Sequence, residues 1–289
     1  MYVITGATGN TGSIAAETLL DAGKSVRVVV RSAAKAKHLA ARGAQVVEAD
    51  LSDEAALRRA FEGAEGVYVL SPPDMTLPDF LGERKKLTDS YARVAKAAGV
   101  KHVVFLSSVG AQHSAGTGMI RSCYAGEQAL KASGVPVTFV RPAYFLDNWA
   151  AVLHPVQHDG VLPSFIAASR SIPMVASRDI GKAIGQALLD GPRGTRVIEL
   201  SGPVDVSPKD VAAAFAKALG RDVSVAEAPP AAAAGAFVSF GASENVASLY
   251  AELFVGVDNG QVSYEGGSAE RLRGSTTLEQ FVTGLTGKQ

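Results

Sequence analysis

A tyrosine stands one helical turn ahead of a glutamine in "SCYAGEQALK", Ser122 to Lys131. With a lysine at position 128, a cation beside the Tyr124 phenol would favour its ionised form and make it a ready proton donor. Gln128 carries no charge and cannot do this. Other proton-handling groups lie close in the chain: Ser108, in the "FLSS" that ends a strand, and His113 in the loop behind it. An imidazole titrates near neutrality, and hydroxyls can polarise or protonate an oxygen on a bound substrate. Ser108, His113 and Tyr124 are therefore the catalytic candidates. Each also has a plainer role open to it, Tyr124 as packing and His113 as an unpartnered loop residue. The neighbouring Cys123 reads as a small buried apolar group.

A second set of residues can hold a phosphate. In "VITGATGNTG", Gly6, Gly9 and Gly12 fall where the first strand turns into the first helix. Each glycine has a mechanical purpose there: a tight turn, close approach of backbone to a phosphate, and close helix-to-strand packing. The free amides of that helix end face a pyrophosphate, so Gly6, Thr8, Gly9, Asn10, Thr11 and Gly12 are candidate dinucleotide contacts. The second strand ends in "VVVRSAAKAK", placing Arg31 where an NAD site would carry an acid for the ribose hydroxyls, with Lys35 behind it. A 2′-phosphate would meet donors and no repulsion, which favours NADP(H) over NAD(H). Asp50 and Leu51, ending the third strand, fall near the adenine, although Asp50 could equally anchor the next helix. Ser71 and Pro72, opening "SPPDMTLPDF" after the fourth strand, run beside the ribose and nicotinamide.

A flat acceptor would sit beyond the carboxyl ends of strands four to six. "RPAYFLDNW" after the sixth strand offers Tyr144, Phe145, Asn148 and Trp149 to line that space. Phe145 and Trp149, one turn apart, could equally be core contacts.

The elements that must position these groups follow from the spacing of apolar runs. "YVIT" precedes a helical pattern over Gly12 to Ala22, "VRVVV" one over Ala33 to Arg42, and "QVVEA" one over Asp53 to Glu62. "GVYVL", a helix from about Phe80 to Ala98, "HVVFLS", a helix from about Ser122 to Ser133, and "VTFVR" continue the series. Apolar runs without in-out alternation, separated by helices, are the pattern of parallel strands covered on both faces. The expected architecture is α/β: a Rossmann-type doubly wound parallel sheet over residues 1–141, then a smaller C-terminal α/β lobe over 142–289 that shares strands and helices with it. In the lobe, "SIPMVA" and "RVIELSG" read as strands, and helices begin near Asp179, Ser207, Glu244 and Thr277, with Asp179 as a cap or polar link. "APPAAAAGA", Ala228 to Ala236, reads as a helix start or connector without chemistry.

Composition removes several function classes. Lys+Arg and Asp+Glu both number 28 in 289 residues, so overall charge directs the chain neither to nucleic acid nor to anionic lipid. A single cysteine excludes an internal disulfide and a multi-cysteine metal site, and no metal is expected. No run approaches the roughly 18 apolar residues of a membrane span, and no basic leader precedes Tyr2, so the expected location is the cytoplasm. A homodimer is left open.

The glycine spacing, "ADL" after strand three, "SPP" after strand four and "FLSSVG" after strand five together resemble the short-chain dehydrogenase/reductase superfamily. "GVKHVVFLSSVGA", "GEQALKASGVPVTFVRPAYFLDNW" and "RGSTTLEQFV" resemble its atypical NmrA-like branch nearly end to end. The resemblance implies an NADPH-dependent reductase of a quinone, azo dye or similar electron-poor acceptor. It equally admits a nonenzymatic NADP(H) sensor, since the branch includes both. It puts Ser107 beside the cofactor, Glu127 on the branch's helix glutamate, and Cys123 where some members carry histidine. The superfamily's Tyr-x-x-x-Lys pair is broken at Gln128, which argues against alcohol dehydrogenation and against sugar epimerisation.

Overall fold

The computed structural model describes residues 1–287. Eight parallel strands form one sheet: β1 (Tyr2–Thr5), β2 (Val26–Val30), β3 (Gln45–Glu48), β4 (Gly66–Leu70), β5 (Val103–Leu106), β6 (Val137–Pro142), β10 (Thr195–Ser201) and β13 (Glu270–Arg273). Their spatial order is 13-10-6-5-4-1-2-3. The chain runs outward from β1 to β3, then returns to lay β4 on the other side of β1, so a crevice opens beyond the carboxyl ends of β1 and β4.

Side chains alternate across this sheet and both faces are covered. On one face Ile4, Val28, Val104 and Val140 pack with α1 (Asn10–Asp21) and α7 (Ser177–Asp190) through Ala15, Ala16, Leu19, Ile180 and Ile184. On the other, Val3, Val69, Phe105 and Phe139 meet α3 (Glu54–Phe61), α4 (Phe80–Ala97) and α5 (Arg121–Ser133) through Leu57, Phe61, Tyr91, Ala95 and Leu130. With both faces covered, the central strands have no solvent-facing side, which is why they read as largely apolar runs, while the edge strands β3 and β13 are exposed. Helices α1 and α7 approach closely because α7 presents glycines one turn apart. A Cβ on Gly181 would lie 2.5 Å from Ile14 Cβ, and one on Gly185 would lie 2.7 Å from Thr18 Cβ. This contact fixes the start of α1 against the C-terminal half of the chain.

The remaining elements build a lobe at the carboxyl edge. Strand β7 (Tyr144–Phe145) pairs parallel with β9 (Ile172–Val175), which pairs antiparallel with β11 (Asp205–Val206); β8 (Val161–Ser164) pairs with β12 (Ser224–Glu227). Short α2 (Lys37–Ala41) follows β2, and the lobe carries α6 (Leu153–Asp159), α8 (Pro208–Leu219), α9 (Ala233–Ser239), α10 (Glu244–Asp258) and α11 (Leu278–Thr286). Its core gathers Trp149, Val156, Leu162, Met174, Phe215 and Val282. Capping boxes start α8 at Ser207 with Asp210 and α11 at Thr277 with Gln280, satisfying amides that a helix start leaves open. Among the described residues no helix is long and apolar enough to cross a membrane.

Candidate active site

The turn from β1 into α1 is built for a phosphate. Gly6 adopts φ +58°, a conformation costly for any side chain, and the Gly9 amide donates to its carbonyl at 2.9 Å. A Cβ on Gly12 would lie 2.4 Å from that same carbonyl oxygen, so only glycine lets the helix sit on the turn. Gly9 caps α1 without a side-chain hydrogen bond, and no acid occupies the first turn. The helix therefore presents open amides and the positive end of its dipole. Thr8, Gly9 and Asn10 are exposed there. Thr11 is buried and shares a 2.9 Å hydrogen bond with the Tyr68 hydroxyl, while Thr5 Oγ1 donates to the Tyr68 carbonyl, so Thr11 braces the loop from behind. Asn10 Nδ2 donates to Asp147 at 3.5 Å, and Asp147 accepts the Ser177 amide at 2.8 Å, which links the loop to the lobe.

Arg31 and Lys35 are exposed, and among the described residues neither side chain makes a salt bridge or hydrogen bond. Glu48, a carboxylate the sequence reading passed over, accepts the Ala33 amide at 2.5 Å, while the Arg31 charge acts on Asp50. Asp50 accepts both the amide and the hydroxyl of Ser52, at 2.8 and 2.6 Å, and these bonds hold its carboxyl below the usual range. Leu51 packs on the sheet core. After β4, Pro72 is half-buried and the Ser71 hydroxyl is buried with no partner. The hydroxyl of Thr117 and the side-chain carbonyl of Gln112, both after β5, are likewise unpaired. Buried polar atoms need partners. The open amides at the start of α1 and the exposed Arg31 guanidinium are groups a phosphorylated cofactor can engage.

The group at the end of β5 serves a different purpose. Ser107 is buried and donates to Glu127 Oε1 at 2.6 Å. Arg141, 1% exposed, grips both oxygens of Glu127 at 2.7 Å and reaches Glu265 at 2.6 Å with its other terminal nitrogen. Glu199 of β10 accepts the Glu265 amide at 2.6 Å. Buried charges survive only when paired in this way, and the pairing ties α5, β6, β10 and the 259–267 segment together. The Ser107 hydroxyl faces this cluster. Burial, and next the Glu127 carboxylate, push the Cys123 thiol up to about 12, so no thiolate is available.

The three catalytic candidates do not converge on one another. Tyr124 is half-buried and makes no hydrogen bond among the described residues; Gln128 is exposed. Ser108 donates to the Val109 carbonyl at 3.0 Å, and His113 Nε2 lies 3.2 Å from Gln112 Nε2. Of the four acceptor-site candidates, Trp149 is 4% exposed in the lobe core with its indole N–H on Met174 Sδ at 3.4 Å, and Phe145 packs on the sheet core. Asn148 is exposed. Tyr144 is half-buried, and burial pushes its phenol up to about 12.

A further aromatic group, which the sequence reading missed, closes over the same end of the sheet. Phe237 of α9 stacks on Tyr250 of α10 with ring centroids 3.9 Å apart and planes 7° from parallel, and Phe254 lies 5.3 Å from Phe165. Phe237 and Tyr250 belong at once to a cluster with Met75, Leu77 and Met119 and to another with Tyr144 and Phe165. The loops after β4, β5 and β6 thus meet at one pair of rings. A phenylalanine closing an alanine-rich run was the available signal.

The sequence profile of the NmrA-like family matches residues 2–282. An NAD(P)H azoreductase of Xenophilus azovorans is 30% identical over 254 residues, 88% of this chain and 86% of that protein. Quinone oxidoreductase 2 of Escherichia coli (strain K12) is 30% identical over 291 residues, 99% of this chain and 98% of that protein. Among solved structures, an NADPH-dependent quinone oxidoreductase from Escherichia coli complexed with NADPH superposes with a TM-score of 0.83 at 28% identity, covering 99% of this chain and 100% of that one.

Proposed function

The chain belongs to the NmrA-like family, and from that membership we propose that it is an NADPH-dependent oxidoreductase that reduces an electron-poor acceptor such as a quinone or an azo compound. The observation that carries this reading is the uncapped, acid-free start of α1 together with the exposed Arg31 at the end of β2. NADPH, when bound, supplies a hydride, that is, two electrons and one hydrogen. The chain's own residues bind and orient. The open amides of Thr8 and Asn10 hold the pyrophosphate, Arg31 and Lys35 the 2′-phosphate, and the unpartnered Ser71 hydroxyl the ribose end.

Reduction of a quinone to the hydroquinone also consumes a proton. Neither Tyr124, with Gln128 in place of a cation, nor the half-buried Cys123 thiol, pushed up by its surroundings, is primed to deliver it. Water is the proton source, which limits the acceptor to groups oxidising enough to take hydride before they are protonated. Holding ring against ring supplies the rate by proximity.

A panel of quinones and azo dyes, followed by loss of NADPH absorbance, tests this. One NADPH oxidised per quinone reduced is expected. Tight NADPH binding with no oxidation across the panel would instead favour a nonenzymatic sensor, the reading that an exposed Gln128 and a partnerless Tyr124 support. The same reading takes a small molecule as partner, a homodimer as assembly and the cytoplasm as location; light scattering and fractionation check the last two.

A further inference from the structure

Two histidines stand one helical turn apart in "HPVQH", His154 to His158, on α6. Side chains four residues apart share one helix face, one above the other. The two imidazoles are stacked, with ring centroids 4.3 Å apart and planes 27° from parallel. Both residues are exposed, and among the described residues neither ring makes a hydrogen bond or ion pair. Each neutral ring therefore offers a nitrogen lone pair to solvent.

The helix beneath this pair is fixed on its other sides. Val156 points away from the histidines and is fully buried in the lobe core. Pro155 sets the backbone angle of the first turn. Gly160, left-handed at φ +67°, ends the helix, and Arg221 donates to the carbonyls of Gln157 and His158 at 2.8 and 3.3 Å. Seven residues have little helical stability alone, so these tertiary contacts keep the two rings in register. The ordering that a chelate requires is in place before a ligand arrives.

We propose that His154 and His158 form a two-nitrogen chelate for a borderline divalent transition-metal ion, the class of Zn²⁺, Ni²⁺ and Cu²⁺, with water completing its coordination. Imidazole suits these ions, and four residues along a helix is a spacing at which two histidines reach one ion. With metal–nitrogen bonds of about 2.0–2.1 Å, two nitrogens on one tetrahedral ion lie about 3.4 Å apart. Stacked rings with centroids 4.3 Å apart come to that separation by rotation about their side-chain bonds. The single cysteine of the chain has no bearing on this site, whose donors are imidazole alone. An ion that bridges the two ends of α6 binds only the folded form, so metal and lobe stability are coupled. The site is separate from the reductase reading.

The test uses the untagged whole chain, stripped of metal, with Zn²⁺ as the calorimetric probe and Cu²⁺ as the spectroscopic one. One Zn²⁺ per chain is expected, and excess Mg²⁺ should not displace it, since Mg²⁺ takes oxygen ligands. His154→Asn and His158→Asn should each weaken Zn²⁺ binding about tenfold or more, while His38→Asn, which removes an exposed histidine outside α6, should change it by less than about twofold. With free Zn²⁺ at about a hundred times its Kd, urea denaturation should show the folding constant of the parent chain raised about a hundredfold. Bound Cu²⁺ should show two imidazole nitrogens in the parent and one in either variant. No saturable Zn²⁺ binding up to millimolar concentration, or equal weakening by His38→Asn, would overturn the site. Loss in only one of the two α6 variants, or a single imidazole nitrogen on Cu²⁺ in the parent, would reduce it to a lone histidine contact and overturn the chelate. None of these readouts involves NADPH or an acceptor, so failure of the reductase reading leaves them unchanged.

Discussion

The two ends of the crevice are built on opposite principles. At the cofactor end, the site is backbone: a turn, a helix start and amides, with Gly6 and Gly12 clearing space and Thr11 bracing from behind. Beyond the ends of β5 and β6, the crevice is lined instead by side chains from distant segments, tied together by a buried charge cluster. The first kind of site is specified by a few consecutive residues and tolerates change elsewhere. The second depends on long-range packing, so its shape can vary between relatives that keep the same cofactor.

The largest expected effect falls on the charge cluster that supports the acceptor end. Glu127→Gln leaves Arg141, 1% exposed, without a compensating carboxylate on that side, and breaking a buried pair this way costs roughly 3–5 kcal/mol. Chemical denaturation should register that loss. Glu127→Leu combined with Arg141→Met should recover most of it, because Glu265, half-exposed, can return to water. If the single variant lost nothing, the cluster would not be what holds the acceptor end. Folded Glu127→Gln protein should bind NADPH as before and show a raised acceptor KM.

Next comes the cofactor end. Arg31→Asp should weaken NADPH binding by about 10- to 100-fold, as expected for loss of charge-assisted hydrogen bonds to a phosphate, and NADH binding by no more than about threefold. Titration calorimetry with both coenzymes decides it. Equal losses would mean that the exposed Arg31 is a solvated helix-start residue and that selectivity lies elsewhere.

These two predictions also mark what could be read in advance. The glycine loop, Arg31 and the strand–helix alternation are local, each visible within a short window, because a turn or a strand is decided by near neighbours. The Glu127–Arg141–Glu265 cluster joins segments from three parts of the chain, and only one hint was present: a charge inside the apolar run "VTFVR" must be paired if that strand is covered on both faces. Trp149 was offered to the acceptor, yet the lobe core takes its ring, since an amphipathic aromatic fits either role until packing is known. Phe237 and Tyr250 meet only because α9 folds back on α10, which no periodicity in an alanine-rich run reveals.

A smaller effect sharpens the contrast from outside the site. His102, just before β5, is 1% exposed, with Nε2 2.9 Å from Thr138 Oγ1 and Nδ1 unpaired. Burial, and next the Arg196 charge, lower its pKa from 6.5 to about 4. Between those values the unfolded chain binds a proton that the folded chain refuses. Stability is therefore full above about pH 6.5 and falls as the pH drops toward 4, by about 3 kcal/mol from this group. Denaturation midpoints across that window should slope accordingly, and His102→Gln should flatten the slope. Because His102 lies at the amino end of the sheet, NADPH affinity of the folded protein should not follow the same curve.

The smallest expected effect bears most directly on the chemistry. Tyr124→Phe removes a hydroxyl that makes no hydrogen bond among the described residues and has only an exposed glutamine one turn away. If hydride transfer depends on placing an oxidising ring, with water completing the reduction, kcat for menadione should change by less than about twofold, since proton transfer from a positioned acid would be worth about a hundredfold or more. Steady-state rates with a strong and a weak quinone oxidant make the measurement decisive. A hundredfold loss, larger for the weaker oxidant, would mean that Tyr124 delivers the proton after all. The acceptor end would then contain a preformed acid, and the difference between a cofactor end of fixed backbone groups and an acceptor end of mere shape would disappear.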